Sequence, residues 1–158
     1  MKETLLKYAR YNQWANKRLI STLTTHAPEL AEKEIASSFN SIKKTILHMA
    51  DAEYIWDVRL TNGTPDKIPG KSGAGMEALA HEDQKLIDLI SSNEEAFFGK
   101  STSYKSMKGD PFTNNNFAIL MHVFNHSTFH RGQVVTMLRN GGYTGPVEQT
   151  DFITFERL

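Results

Sequence analysis

His126 and His130 stand four residues apart in the run Asn125-His126-Ser127-Thr128-Phe129-His130-Arg131-Gly132-Gln133. On a helix, residues i and i+4 share a face, so both imidazoles can reach one point. Imidazole is the commonest protein metal ligand near neutral pH, and the pair forms a two-point chelate. His122 lies one more step of four toward the N-terminus. Each such step drifts roughly 40° around a helix, so the three spread over about 80°, too wide for an easy three-way grip from one straight helix. Two of them plus a ligand from another helix is the better geometry. His126 and His130 share a stripe with Val123 and Met137, His122 lies nearer its edge, and Gly132 is expected to allow close helix approach.

The ligand from a second helix should come from packed protein. His48 is the candidate: Leu47 and Met49 flank it, and Ala52 and Ile55 share its face. A histidine in such a setting must satisfy its ring nitrogens, and a metal is one way to do so. His122 remains the alternative should His48 be structural, while His26 and His81 read as solvated. Three imidazoles leave a position free for water or substrate, a property of catalytic rather than structural sites. Zinc, nickel, iron or manganese all suit this ligand set. The His-Glu-x-x-His protease motif is excluded, because Ser127 stands where its glutamate would be.

The elements that must position these residues are helical. Apolar periodicity predicts helices over about Glu3–Thr24, Phe39–Thr61, Met76–Phe98 and from Asn114–Asn116 to Asn140. Ser37 and Ser38 are the capping candidates for the second helix, and Asn140-Gly141-Gly142 stops the last. Between the third and fourth helices, Ser101–Thr113 is too polar for a helix, and Gly109-Asp110-Pro111 favours a turn between two short extended pieces. The expectation is an all-α chain, a four-helix bundle with a short hairpin-like insertion before the last helix, forming one domain over residues 1–158.

Composition narrows the partners. Eighteen basic and eighteen acidic side chains cancel, and no long run of either sign occurs. That argues against a general nucleic-acid binder or an anionic-membrane binder. The chain has no cysteine, so it has neither disulfides nor a thiolate metal site. Met1-Lys2-Glu3-Thr4 leads into an amphipathic pattern rather than a secretory apolar region. No apolar stretch approaches the roughly 20 residues that span a bilayer. A soluble cytoplasmic protein acting on a small molecule is expected.

The run His122–Val134 resembles the last-helix motif of the DinB family of damage-inducible proteins, which is unrelated to the DNA polymerase of that name. Tyr11-Asn12-Gln13-Trp14-Ala15-Asn16 is similar to that family's first-helix motif. Ser41-Ile42 through His48, Asp51-Ala52-Glu53 and Trp56 resemble its second, and Thr150-Asp151-Phe152-Ile153 its closing segment. The likeness covers nearly the whole chain, and its most specific part is the His126/His130 block. It implies a four-helix bundle binding a divalent metal, nickel or zinc above all, through His48, His126 and His130. It also implies a homodimer, and kinship with enzymes that use low-molecular-weight thiols. Phe129 departs from the tyrosine or histidine of many relatives, removing a polar group beside the ligands.

Other residues carry two readings each. Asn12 and Asn16 interrupt the apolar stripe of the first helix, either to line a pocket or to tie helices together. Arg131 is a candidate for binding an anionic substrate group or for a structural salt bridge. Asp51 or Glu53 could orient a ligand imidazole, and Trp14 and Trp56 read as core or interface packing, with a pocket wall as the second reading. Two functions follow. One is a metal-dependent enzyme of the thiol S-transferase or hydrolase type. The other is a non-catalytic metal-binding module serving stress response or protein interaction.

Overall fold

A computed structural model describes residues 1–106 and 108–158. Four long helices dominate it: α1 (Lys2–His26), α2 (Ile42–Leu60), α3 (Glu77–Ser92) and α5 (Asn116–Asn140). A short α4 (Glu95–Gly99) and a hairpin of β1 (Ser101–Lys105) and β2 (Pro111–Asn115) separate α3 from α5, and a last turn, α6, spans Phe152–Phe155. The helices pack as a ring, with α1 and α2 each lying against both α3 and α5. None of these helices is long and apolar enough to cross a membrane.

The boundaries follow local chemistry. The α2 cap is Ser41 rather than Ser37 or Ser38: its hydroxyl accepts from the Lys44 N–H at 3.2 Å. The predicted third helix is two helices, because Asn93 leaves the helical region (φ −92°, ψ 147°) and its side-chain amide donates back to the Leu89 carbonyl at 2.8 Å. The hairpin lies where the turn residues place it, antiparallel with Ser101 opposite Asn115 and Lys105 opposite Pro111. Asn115 then caps α5, accepting from Phe117 N–H and Ala118 N–H.

The interior has three levels. One apolar cluster gathers Leu19, Leu23, Ile42, Ile46, Leu79, Val134 and Met137. A second gathers Leu5, Ala9, Leu86, Ile90, Phe98, Leu120 and Phe124 toward the other end of the bundle. Between them lies a buried polar layer with members from all four helices: Asn12 and Asn16 of α1, Glu53 of α2, Asp83 of α3, Ser127 and Arg131 of α5. Arg131 donates through one nitrogen to the carbonyl oxygens of Asn12 (2.7 Å) and Asn16 (2.9 Å). The Asn12 amide donates to Glu53 and Asp83, both at 2.9 Å, and the Asn16 amide to Asp83 at 3.0 Å. Ser127 donates to Glu53 at 3.1 Å. The asparagines therefore relay between cation and carboxylates, each amide using its oxygen toward one and its nitrogen toward the other.

The layer carries one cation and two carboxyls, so it is neutral when one carboxyl keeps a proton. Burial pushes Asp83 up to about 7, against hydrogen bonds from Asn16 and Asn12 and the positive charge of Arg131. Glu53 rises well above the usual carboxylate range, by burial first and then by the neighbouring Asp83 charge. With Asp83 raised from 3.8 to about 7, the folded chain holds a proton that the unfolded chain has lost. Its contribution to stability therefore declines as pH rises through that window. An Asp83→Asn variant lacks this decline. Thermal unfolding of the metal-free proteins should show the midpoint difference moving in the variant's favour from about pH 4 to pH 7, and a pH-independent difference would mean that Asp83 is ionised throughout.

Candidate metal centre

His48 comes from the middle of α2, and His126 and His130 from successive turns of α5 where the two helices pack. The Nε2 of His126 lies 3.0 Å from that of His48 and 3.1 Å from that of His130. A ligand nitrogen from each ring falls within 4.8 Å of the other two. Phe39, in the segment before α2, covers the group, its ring 4.3 Å from that of His48 and 6.0 Å from that of His130.

Protonation decides whether a cation fits here. Burial lowers His48 to about 4, with the charge of His130 adding to it, and lowers His126 to about 4 by burial and then by the other imidazoles. Burial also lowers His130, against its hydrogen bond to the Gln133 oxygen, which raises it. All three rings are thus neutral near pH 7, the ligating form. The Gln133 amide donates to Ser38 Oγ at 2.9 Å, turning its oxygen toward His130 Nδ1 at 2.8 Å. His130 Nδ1 must then carry the proton, which leaves the Nε2 lone pair facing His126.

His126 has no comfortable tautomer among protein groups alone. Its Nδ1 is buried without a partner. With the proton on Nδ1, that N–H is unsatisfied and the Nε2 lone pair faces that of His130. With the proton on Nε2, one N–H serves two ring nitrogens and the buried Nδ1 lone pair is left unmatched. A divalent cation held by His48, His126 and His130 would remove the repulsion between their facing lone pairs. The residues present therefore fit a divalent metal.

A cleft of about 310 Å³ adjoins the histidines. His48, His126 and His122 line it together with Asp51, Trp56 and Lys71. His122, exposed, has its ring 6.0 Å from that of His126 and 5.7 Å from the Trp56 ring, so it borders the cleft. Of the two readings for Trp56, the cleft wall is the one the structure bears out. Trp14 instead packs on Tyr11 and Phe155 beneath Arg18. His26 and His81 are exposed on α1 and α3, away from the group.

The model of the DinB family matches residues 1–158. The chain belongs to the DinB family. It is also 29% identical, over 161 aligned positions, to Protein DinB of Bacillus subtilis (strain 168), covering 90% of this chain and 89% of that protein.

Several expected roles fall elsewhere. Asn12, Asn16 and Arg131 are buried in the polar layer and do not border the cleft, so they are helix ties rather than pocket groups. Arg131 adds a hydrogen bond to Thr128 at 2.7 Å and lies over the Tyr11 ring. Neither Asp51 nor Glu53 orients an imidazole: Asp51 accepts from the Gly70 N–H at 2.6 Å, and Glu53 faces the layer. The orienting group is Gln133, three residues beyond His130 and therefore on the same helix face. Gly132 is exposed with open space where a side chain would be, so it permits no close helix approach. Phe129 is exposed beside His130.

Elemental analysis checks the group. The wild-type chain should hold about one divalent ion, His48→Ala, His126→Ala and His130→Ala should lose it, and His26→Ala and His81→Ala should keep it. Metal retained by His48→Ala would replace His48 with His122 as ligand. Gln133→Leu should weaken binding by about 10- to 100-fold, the usual cost of losing a group that orients a ligand, and unchanged affinity would remove Gln133 from the centre.

Proposed function

We propose that this protein is a metal-dependent enzyme of the thiol S-transferase or hydrolase type, acting on a small molecule. The observation that carries the reading is a group of three converging neutral imidazoles beside an open cleft, with no fourth histidine, cysteine or carboxylate in the group among the described residues. Structural zinc sites usually have four protein ligands, whereas catalytic ones leave a position for substrate. The helices also do not need a metal to hold them, because the polar layer and two apolar clusters already join all four.

His48, His126 and His130 would hold the ion, zinc or nickel in this reading. When bound, such an ion supplies Lewis acidity, which favours the deprotonated form of a thiol or of water beside it. The chain's own groups supply the rest. Phe39 shields one side of the imidazoles, and Ile55, Trp56 and Ile68 give the cleft an apolar lining that keeps water from crowding it. Lys71 and Arg59 bring positive charge to its edge, suited to the carboxylates of a small cellular thiol, while Asp51 is its one carboxylate. Gln133 keeps the His130 lone pair aimed inward. A cytoplasmic homodimer with a role in stress response belongs to the same proposal, resting on the family.

A turnover screen tests it. The metal-loaded protein, offered several cellular thiols with epoxide, haloalkane and ester electrophiles, should consume at least one pair. The rate should drop by about 100-fold or more when His126 is replaced by alanine. No turnover across a broad panel at full metal occupancy would sink the enzyme reading.

A further inference from the structure

Beside the cleft at the histidines lies a second chamber of different character. It measures about 240 Å³ and is lined by Trp56, Tyr104, Asn114, Ala118, Ile119 and His122. Trp56 and His122 also line the cleft at the histidines, so these two side chains form the partition between the chambers. The chamber at the metal centre contains Asp51, Arg59 and Lys71, whereas no formally charged aspartate, glutamate, lysine or arginine lines the second.

The walls of the second chamber are held in place. The Trp56 and Tyr104 rings meet at 82° with centroids 4.9 Å apart, leaving two aromatic surfaces at a right angle. The Tyr104 hydroxyl donates to Asn114 Oδ1 at 2.8 Å, fixing the ring across the hairpin. Arg59 lies over both rings, 4.7 Å from Trp56 and 4.8 Å from Tyr104, and donates to the Lys105 carbonyl at 2.8 Å. That contact fastens the hairpin to α2, so the slot exists before any ligand arrives and its walls lose little freedom on binding.

Resting on the enzyme reading above, we infer that this slot is the specificity pocket for a neutral aryl or similarly flat apolar group on the electrophilic substrate. The charged chamber takes the polar thiol partner. A flat ring seated against the contacting indole and phenol, in the space they line with Ala118 and Ile119 of α5, replaces water on apolar surface. The His122 ring that borders the slot is 6.0 Å from the His126 ring, so a group held in the slot lies beside the chamber of the metal centre. The hairpin, absent from a bare four-helix bundle, thereby acquires a role: it contributes Tyr104 and sets the width of the slot.

The test uses 4-fluorobenzyl alcohol as a neutral aryl probe, observed by fluorine NMR, with the indole N–H signals of the full-length protein followed in parallel. The probe signal should broaden and shift on titration, the Trp56 indole should move, and the Trp14 indole, on α1, should stay. Ala118→Phe, which fills the slot from the helix, should weaken binding tenfold or more at unchanged metal content, whereas Ala118→Ser should bind like the wild type. Binding should persist in the His126→Ala protein, which separates this test from the metal reading. An unmoved Trp56 signal, or equal affinities in the wild-type and Ala118→Phe proteins, would overturn the assignment.

Discussion

A buried guanidinium is the constraint around which this molecule is arranged. Arg131 is buried on α5, and its charge is met by two asparagine oxygens, a threonine hydroxyl, the face of Tyr11 and, through the asparagine relays, two carboxyls. A rotation or slide of α5 would leave that cation and both acids unpaired in the interior, an outcome that costs roughly 3–5 kcal/mol when one partner of a buried pair is lost. Arg131 and Ser127 occupy the same i, i+4 relation as His130 and His126, displaced by one residue and so turned by roughly 100°. Whatever fixes the rotation of α5 for the arginine also fixes it for the imidazoles.

The second helix obeys the same logic. His48 and Glu53 are five residues apart, which turns them roughly 140° from each other on a helix. Glu53 enters the layer and His48 faces the cleft. Two helices thus each present a binding face and an anchoring face, and the anchoring faces meet in one hydrogen-bonded set. The interior remains closed at both ends by apolar side chains, so the polar groups lie where water is scarce and their geometry is correspondingly exacting.

Spacing made much of this legible. The His126/His130 pair announces itself because i, i+4 is a contact distance on a helix, and His48 because a histidine among apolar neighbours needs a partner. The hairpin was readable from Gly109-Asp110-Pro111, and the C-terminal stop of α5 from Gly141-Gly142. What stayed hidden depends on tertiary partners. Asp83 and Glu53 look like ordinary surface acids in sequence, since burial of a carboxylate is decided by whether Arg131 and the asparagines arrive opposite. Gln133 stands three residues beyond His130 in the sequence, but its orienting role needs Ser38 from a distant loop to settle which way the amide points. The break at Asn93 is likewise invisible to periodicity, because the apolar pattern continues through Phe97 and Phe98 while the backbone turns.

The segment after α5 returns to the first helix. The Tyr11 hydroxyl donates to the Thr150 carbonyl at 2.8 Å, Phe152 stacks on Tyr8, and Lys7 pairs with Glu156 at 3.1 Å. Tyr11 in turn lies beneath the guanidinium of the layer. The first helix therefore completes its contacts with the segment that follows α5, more than 130 residues further along the chain. During synthesis, α1 must wait as an unpartnered amphipathic segment with Asn12 and Asn16 hydrated, and the three histidines cannot converge until α5 has emerged. The centre is thus a late product of folding, and metal capture by a half-made chain has no preformed cage to exploit.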